Sequence, residues 1–191
     1  MEQNGCEFNW NTKVTTLVSQ HGKFKGVQCQ DDFHPCDTAV ICTAEDHHGI
    51  LKKVGVRLPI LPVAGYSITL PSNSTCPNAS ITALDAKTVF CRLGDQVRIA
   101  GFADINTSPD KKAGRVETLL QTAQKIAPDV ADYSVENTHS WMGYRPVTPN
   151  SNPIFTETKL NGLFVNIGHG ALGWTLAAAT AKQISDKVTS S

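Results

Sequence analysis

Two short segments carry residue types that could do chemistry. Gly168-His169-Gly170-Ala171-Leu172-Gly173 has the spacing G-x-G-x-x-G and lies between a strand-like apolar run, Leu163 to Ile167, and a helix-like run, Trp174 to Val188. Glycines so spaced let the backbone turn sharply and approach a ligand with no Cβ in the way. The first N–H groups of the following helix point at the same place, which suits an electron-rich group. A dinucleotide-binding βαβ unit needs a second parallel strand and an acidic residue about 20 positions on, and the residues after Gly173 are too few to hold both. A glycine turn that only joins a strand to a helix is the plainer alternative. The second segment is Trp141 to Pro149, uncharged except for Arg145. A guanidinium offers a planar fork of donors matching a carboxylate, which makes Arg145 an anchor for a carboxylate-bearing substrate. A structural ion pair, or a side chain reaching solvent, would explain it equally well.

The elements that must position these residues follow from the apolar pattern. Lys13–Ser19 and Lys23–Cys29 read as a hairpin across Gln20-His21-Gly22. Asp37–Ala44 has a continuous apolar centre, as a strand covered on both faces does, and Gly49–Val54 reads as a short helix. Gly65–Leu70 is a strand, and Thr88–Leu93 with Gln96–Phe102 makes a second hairpin across Gly94-Asp95. The clearest helix spans about 109–127: Ser108 can cap it and Pro109 suits its first turn. Val116, Leu119, Leu120, Ala123, Ile126 and Ala127 form its apolar stripe. Ser134–Met142 reads as a strand that delivers Arg145 to a proline-rigidified loop.

Composition narrows the function. Lysine plus arginine and aspartate plus glutamate are 17 each in 191 residues, with no like-charge run to track a phosphate backbone, so nucleic acid is not an expected partner. The sequence has no transmembrane segment or signal peptide pattern; the expected location is cytoplasmic, with peripheral association at the inner membrane compatible with it. Six cysteines without a C-x-x-C pair read as buried thiols. Glu45-Asp46-His47-His48 invites a metal, but adjacent histidines on an extended segment point apart and no third ligand lies at a motif spacing, so no metal site is expected.

Taken together, Met142-Gly-Tyr-Arg-Pro-Val-Thr-Pro149, the hairpin through Pro153-Ile-Phe and Leu163-Phe-Val-Asn, and Gly168-His-Gly-Ala-Leu-Gly-Trp-Thr175 resemble the C-terminal part of the D-amino-acid oxidase superfamily of FAD-dependent flavoenzymes. Within it, the likeness is to the small subunit of the bacterial D-amino-acid dehydrogenases. Pro62–Pro71 is similar to that family's entry into its substrate domain, and Ala39–Ala44 to its last cofactor-domain strand. The likeness runs from about Phe8 to Val188. It implies an α+β fold: an α/β cofactor-domain remnant at 1–62, an antiparallel-sheet substrate domain at 63–148, and a return to the cofactor domain at 149–191.

The resemblance further implies FAD as cofactor and oxidative deamination of a D-amino acid, with hydride passing to flavin N5 and a 2-oxo acid and ammonia as products. It places Arg145 on the substrate carboxylate and makes Tyr144 and Tyr66 candidates for binding or shielding the substrate. Gly168, Gly170, Ala171, Leu172, Gly173, Trp174 and Thr175 would lie against the flavin, with His169 orienting their loop, while Val14 and Ala44 lie in segments that approach the cofactor in relatives. A helix N-terminus beside the isoalloxazine would favour its anionic reduced form. The family's N-terminal G-x-G-x-x-G unit has no counterpart here, and Ala44 replaces a usual glycine. An N-terminal FAD-binding half or partner subunit is therefore expected. The alternatives are a non-catalytic module that binds a carboxylate ligand or a protein, and a related FAD amine oxidase of the glycine or sarcosine type.

Overall fold

His21 and Gly22 both have left-handed backbones, with φ of 51° and 77°, the geometry whose twist suits a two-residue hairpin. They join β1 (Val14–Gln20) to β2 (Lys23–Cys29). The computed structural model describes residues 5–30, 32–44, 47–105, 108–134, 136 and 138–190. Within these, β3 (Asp32–Pro35) adds to β2 and completes a three-stranded antiparallel sheet. Sequence pattern did not announce β3, because all four of its residues are exposed and no apolar alternation marks it.

The chain forms two compact units, Met1–Ile60 with Pro146–Ser191, and Leu61–Arg145. In the first, a second sheet has the order β10 (Ile154–Glu157), β11 (Leu163–Ile167), β4 (Ala39–Ile41). β11 runs parallel to β4 and antiparallel to β10. Leu17, Phe24, Leu51, Leu163, Val165 and Ile167 form the centre of this unit's core, to which α1 (His47–Lys53) contributes Leu51. The expectation that β4 is covered on both faces is corrected: the strand is three residues long and Val40 is 37% exposed. Its only sheet neighbour among the described residues is β11, so β4 stands at the edge of this sheet. The thiols are also less buried than expected: Cys29 and Cys76 lie inside, whereas Cys6, Cys36 and Cys42 are exposed. Glu45 and Asp46, and the side chains of His47 and His48, lie outside the described residues.

The second unit is a five-stranded sheet in the order β6 (Ile81–Ala83), β7 (Thr88–Leu93), β8 (Gln96–Ile105), β5 (Leu61–Pro71), β9 (His139–Val147). The period of two along β5 and β8 sends Tyr66, Ile68, Leu70, Val97 and Ile99 to one face. There they pack with Leu119 and Ala123 of α2 (Lys112–Ile126). Ser67, Thr69 and Arg98 alternate to the other face. Three sequence expectations are revised here. The turn Pro109–Lys111 is 3-10, and α2 begins at Lys112. Ser108 does not cap a backbone N–H, because its hydroxyl is taken by the Asp110 carboxylate. Arg145 stands on a strand and not in a loop, since β9 continues to Val147. β9 is an edge strand of its sheet, a position at which proline is tolerated.

Candidate active site

The outer face of the second unit's sheet carries the substrate candidate. Along β9 the alternation puts Trp141, Gly143 and Arg145 on one side, while Met142 and Tyr144 pack against the core. Arg145, Trp141, Arg98, Ser67 and Thr69 line a cavity of about 480 Å³, ample for a small amino acid. Gly143 lets the Trp141 indole lie flat on the strand: a Cβ there would overlap the indole ring. Among the described residues the ion pairs are Arg115–Asp104 and Lys182–Asp186, and neither takes Arg145. Its Nη1 makes one loose hydrogen bond, 3.5 Å, to the carbonyl of Phe102. The rest of its donor fork has room for an anion.

Of the two tyrosine candidates, Tyr66 lines this cavity and Tyr144 does not. Tyr66 borders the cavity but is 1% exposed and sits in the core. Its ring meets Phe102 edge-on at 6.3 Å, and the Arg115 guanidinium lies 5.9 Å from its centroid. Arg115 Nε donates to Asp104 Oδ2 at 2.6 Å and the guanidinium covers the Phe102 ring at 4.4 Å. The fork from Arg115 is the main reason the Asp104 carboxyl titrates below its usual range. Tyr144 packs against the same core. Both tyrosines thus brace the sheet beneath the cavity.

In the first unit, β11 leads into the glycine loop. Gly168 and Gly170 have φ of 82° and 56°, so the first two glycines are demanded by the backbone. A Cβ on Gly168 would also press on Thr148 Cγ2 at 2.7 Å. Gly173 is different: its φ is −53°, and a Cβ there would meet nothing nearer than His169 Cβ at 3.7 Å. The fold needs no glycine at 173. From it starts α3 (Gly173–Thr189), whose N-terminus has no side-chain cap. Leu172 and Trp174 are exposed there, Trp174 by 96%; Ala171 and Thr175 are exposed as well.

His169 is held by an antiparallel bridge to Val147 and by Nε2, 3.0 Å from Thr180 Oγ1. The Thr180 hydroxyl also lies 3.1 Å from the Leu176 carbonyl. Burial keeps the His169 imidazole neutral, pushing its pKa below the ordinary value. Ala44 and Gly168 each follow three residues after the last paired residues of the parallel strands, Ile41 and Val165. Both therefore lie beyond the carboxyl ends of neighbouring parallel strands, where open α/β sheets bind ligands. Val14, at the start of β1, turns its side chain into the core. Sequence reasoning missed Arg98, Ser67, Thr69 and Gly65; a period of two counted back along β5 from Thr69 would have found the polar face.

The family of FAD-dependent oxidoreductases named DAO matches residues 1–187, and the chain belongs to that family. It is 34% identical over 190 residues to the D-amino acid dehydrogenase of Paramagnetospirillum magneticum, with 97% of this chain and 44% of that protein covered. Among solved structures it is similar to iminodiacetate oxidase from Chelativorans sp. BNC1, with TM-score 0.76, 20% identity, and 94% of this chain and 49% of that one covered. It is also similar to glycine oxidase from Geobacillus kaustophilus, with TM-score 0.75, 23% identity, and 93% and 48% covered. The fold is that of these α+β flavoenzymes, and the chain spans somewhat under half the length of the relatives it matches. No helix among the described residues is long and apolar enough to cross a membrane.

Proposed function

We propose that this chain supplies the substrate-gripping and flavin-facing parts of an FAD-dependent D-amino-acid dehydrogenase, acting with an N-terminal FAD-binding half or partner subunit. The observation that carries this reading is the Arg145 guanidinium, lining a cavity of about 480 Å³ with no carboxylate paired to it among the described residues. Gly173 supports the cofactor side: a glycine that neither backbone nor packing requires leaves room for a flat ring against the uncapped end of α3. Bound there, FAD would supply the acceptor for a hydride from the substrate Cα.

The chain's own residues then hold and orient. Arg145 takes the substrate carboxylate in a bidentate grip, which fixes the direction of the Cα–H bond. The resulting imino acid is hydrolysed by water to a 2-oxo acid and ammonia. No carboxylate or histidine base is needed in the cavity if the amine enters neutral. Loop residues Gly168 to Thr175, with Ala44 at the neighbouring strand end, make the flavin's backbone-lined wall. The neutral His169 keeps that wall in place through Thr180.

Co-production with a partner carrying N-terminal G-x-G-x-x-G tests the reading. The complex should be yellow and reduce a dye with D-alanine. Arg145→Met should raise KM for D-alanine about 10- to 100-fold, the range of a hydrogen bond between charged groups. A colourless, inert complex, or an Arg145→Met protein with unchanged KM, overturns it.

A further inference from the structure

The register between β5 and β8 slips at one place. Ala64 pairs with Asp104 and the next pair is Tyr66 with Gly101, so Gly65 alone opposes Phe102 and Ala103. Bulges of this kind are found beside active sites, where they re-aim groups. Two residues of this bulge are unusual. Phe102 is a large non-glycine residue at φ 65°, a conformation that costs about 1 to 2 kcal/mol unless neighbours impose it. Its ring is fixed by the Arg115 guanidinium and by the edge of Tyr66, and its carbonyl receives Arg145 Nη1. Gly65 has a φ outside the left-handed region, so its backbone would accept any residue. Yet the three atoms nearest a Cβ at Gly65 would be Nη1, Cζ and Nη2 of Arg145, all in overlap.

We propose that this bulge is a built seat for the Arg145 guanidinium, with Gly65 and Phe102 as positioning residues for the substrate carboxylate. Resting on the carboxylate-anchor reading above, the proposal adds what fixes the direction of the fork. Gly65 supplies a bare stretch of strand on which the planar group lies. Phe102 turns a carbonyl to hold one Nη1 hydrogen, which leaves the remaining donors for the ligand. The Asp104–Arg115 pair and Tyr66 act through Phe102: they hold the ring and so the left-handed turn. A side chain as long as arginine would otherwise sample many rotamers, and ordering it beforehand removes that cost from substrate binding.

A double-mutant cycle tests the seat. Gly65→Ala should displace the Arg145 guanidinium, the far end of a flexible side chain, from its seat with little change in the thermal midpoint of the chain. In the co-produced complex, Gly65→Ala should lower kcat/KM for D-alanine about tenfold or more, as sub-ångström misplacement of an anchor does. In the Arg145→Met background the same change should cost less than about twofold. Should Gly65→Ala alone fail to fold, folding of Gly65→Ala with Arg145→Met supports the seat and failure of both overturns it. Equal losses in the two backgrounds also overturn it. The underlying reading fails separately, by an Arg145→Met protein that keeps its KM.

Discussion

The three glycines of the 168–173 loop do different work, and alanine separates them. At Gly168 a side chain meets both a left-handed φ and the Thr148 methyl group, so Gly168→Ala should destabilise by about 2 to 4 kcal/mol in a denaturant titration. At Gly173 the helical backbone welcomes alanine. Gly173→Ala should leave the thermal midpoint unchanged or higher while FAD affinity of the complex drops about tenfold, since a methyl group then stands where the ring approaches. Loss of stability with intact FAD binding would assign Gly173 to the fold instead. His169 adds a pH signature. Burial lowers its folded pKa below 6.5, so near and below pH 6.5 the unfolded chain binds a proton that the folded chain does not. Its contribution is therefore constant above that pH and declines as pH falls through the depressed value. His169→Gln should flatten the slope of stability against pH on the acid side. The motif spacing made the loop legible in the sequence. The distinction among its glycines was not, because φ and the Thr148 contact arise only when Thr148 folds onto Gly168.

Among the elements, α2 and β9 show where local pattern suffices and where it fails. Six apolar positions at helical spacing located α2, and Leu119 and Ala123 are indeed fully buried; Ile126, in the same stripe, is 43% exposed. Tyr133 closes the end of α2 from outside the helix. Its hydroxyl reaches the Ala127 carbonyl at 2.8 Å and the Ala123 carbonyl at 3.3 Å. The Ala123 carbonyl already accepts the Ala127 N–H at 2.9 Å, so the hydroxyl adds a second donor at this helix end. Tyr133→Phe should cost about 0.5 to 1.5 kcal/mol with no change in fold. Desolvation pushes the Tyr133 phenol to about 12, above its ordinary value, so this stabilisation is present below pH 10 and lost as pH rises from 10 toward 12. Alkaline melts of native chain and Tyr133→Phe should converge in that window; parallel curves throughout would remove the cap from the account. β9 was misread because proline suggested a loop. An edge strand tolerates proline, and edge position is set by the order of strands in the sheet, which no single segment encodes.

At the scale of the whole molecule, family membership was legible because two motifs, around Arg145 and around Gly168, occur in register along the chain. The support for each motif was not: Gly65 and Phe102 meet Arg145 only through the pairing of strands distant in sequence. The chain spans 44% of the length of its Paramagnetospirillum relative, and its surface carries two large exposed apolar side chains at the start of α3. Trp174 is 96% exposed at the second residue of α3, with Leu172 at 54% beside it. Leaving a side chain of this size in water forgoes about 1.5 to 3 kcal/mol of burial. A large exposed aromatic next to an uncapped helix end is expected where a further surface docks. Adding an N-terminal FAD-binding half and FAD to the chain should therefore move the Trp174 indole out of water, shifting its emission to the blue and quenching it by transfer to the flavin. Trp10 and Trp141 are also exposed, at 76% and 62%, so the assignment needs Trp174→Phe. That variant should lose most of the spectral change while still assembling, whereas a Trp10→Phe chain keeps it. If Trp174→Phe retained the full shift, the glycine loop would not be the surface that receives the cofactor and its carrier.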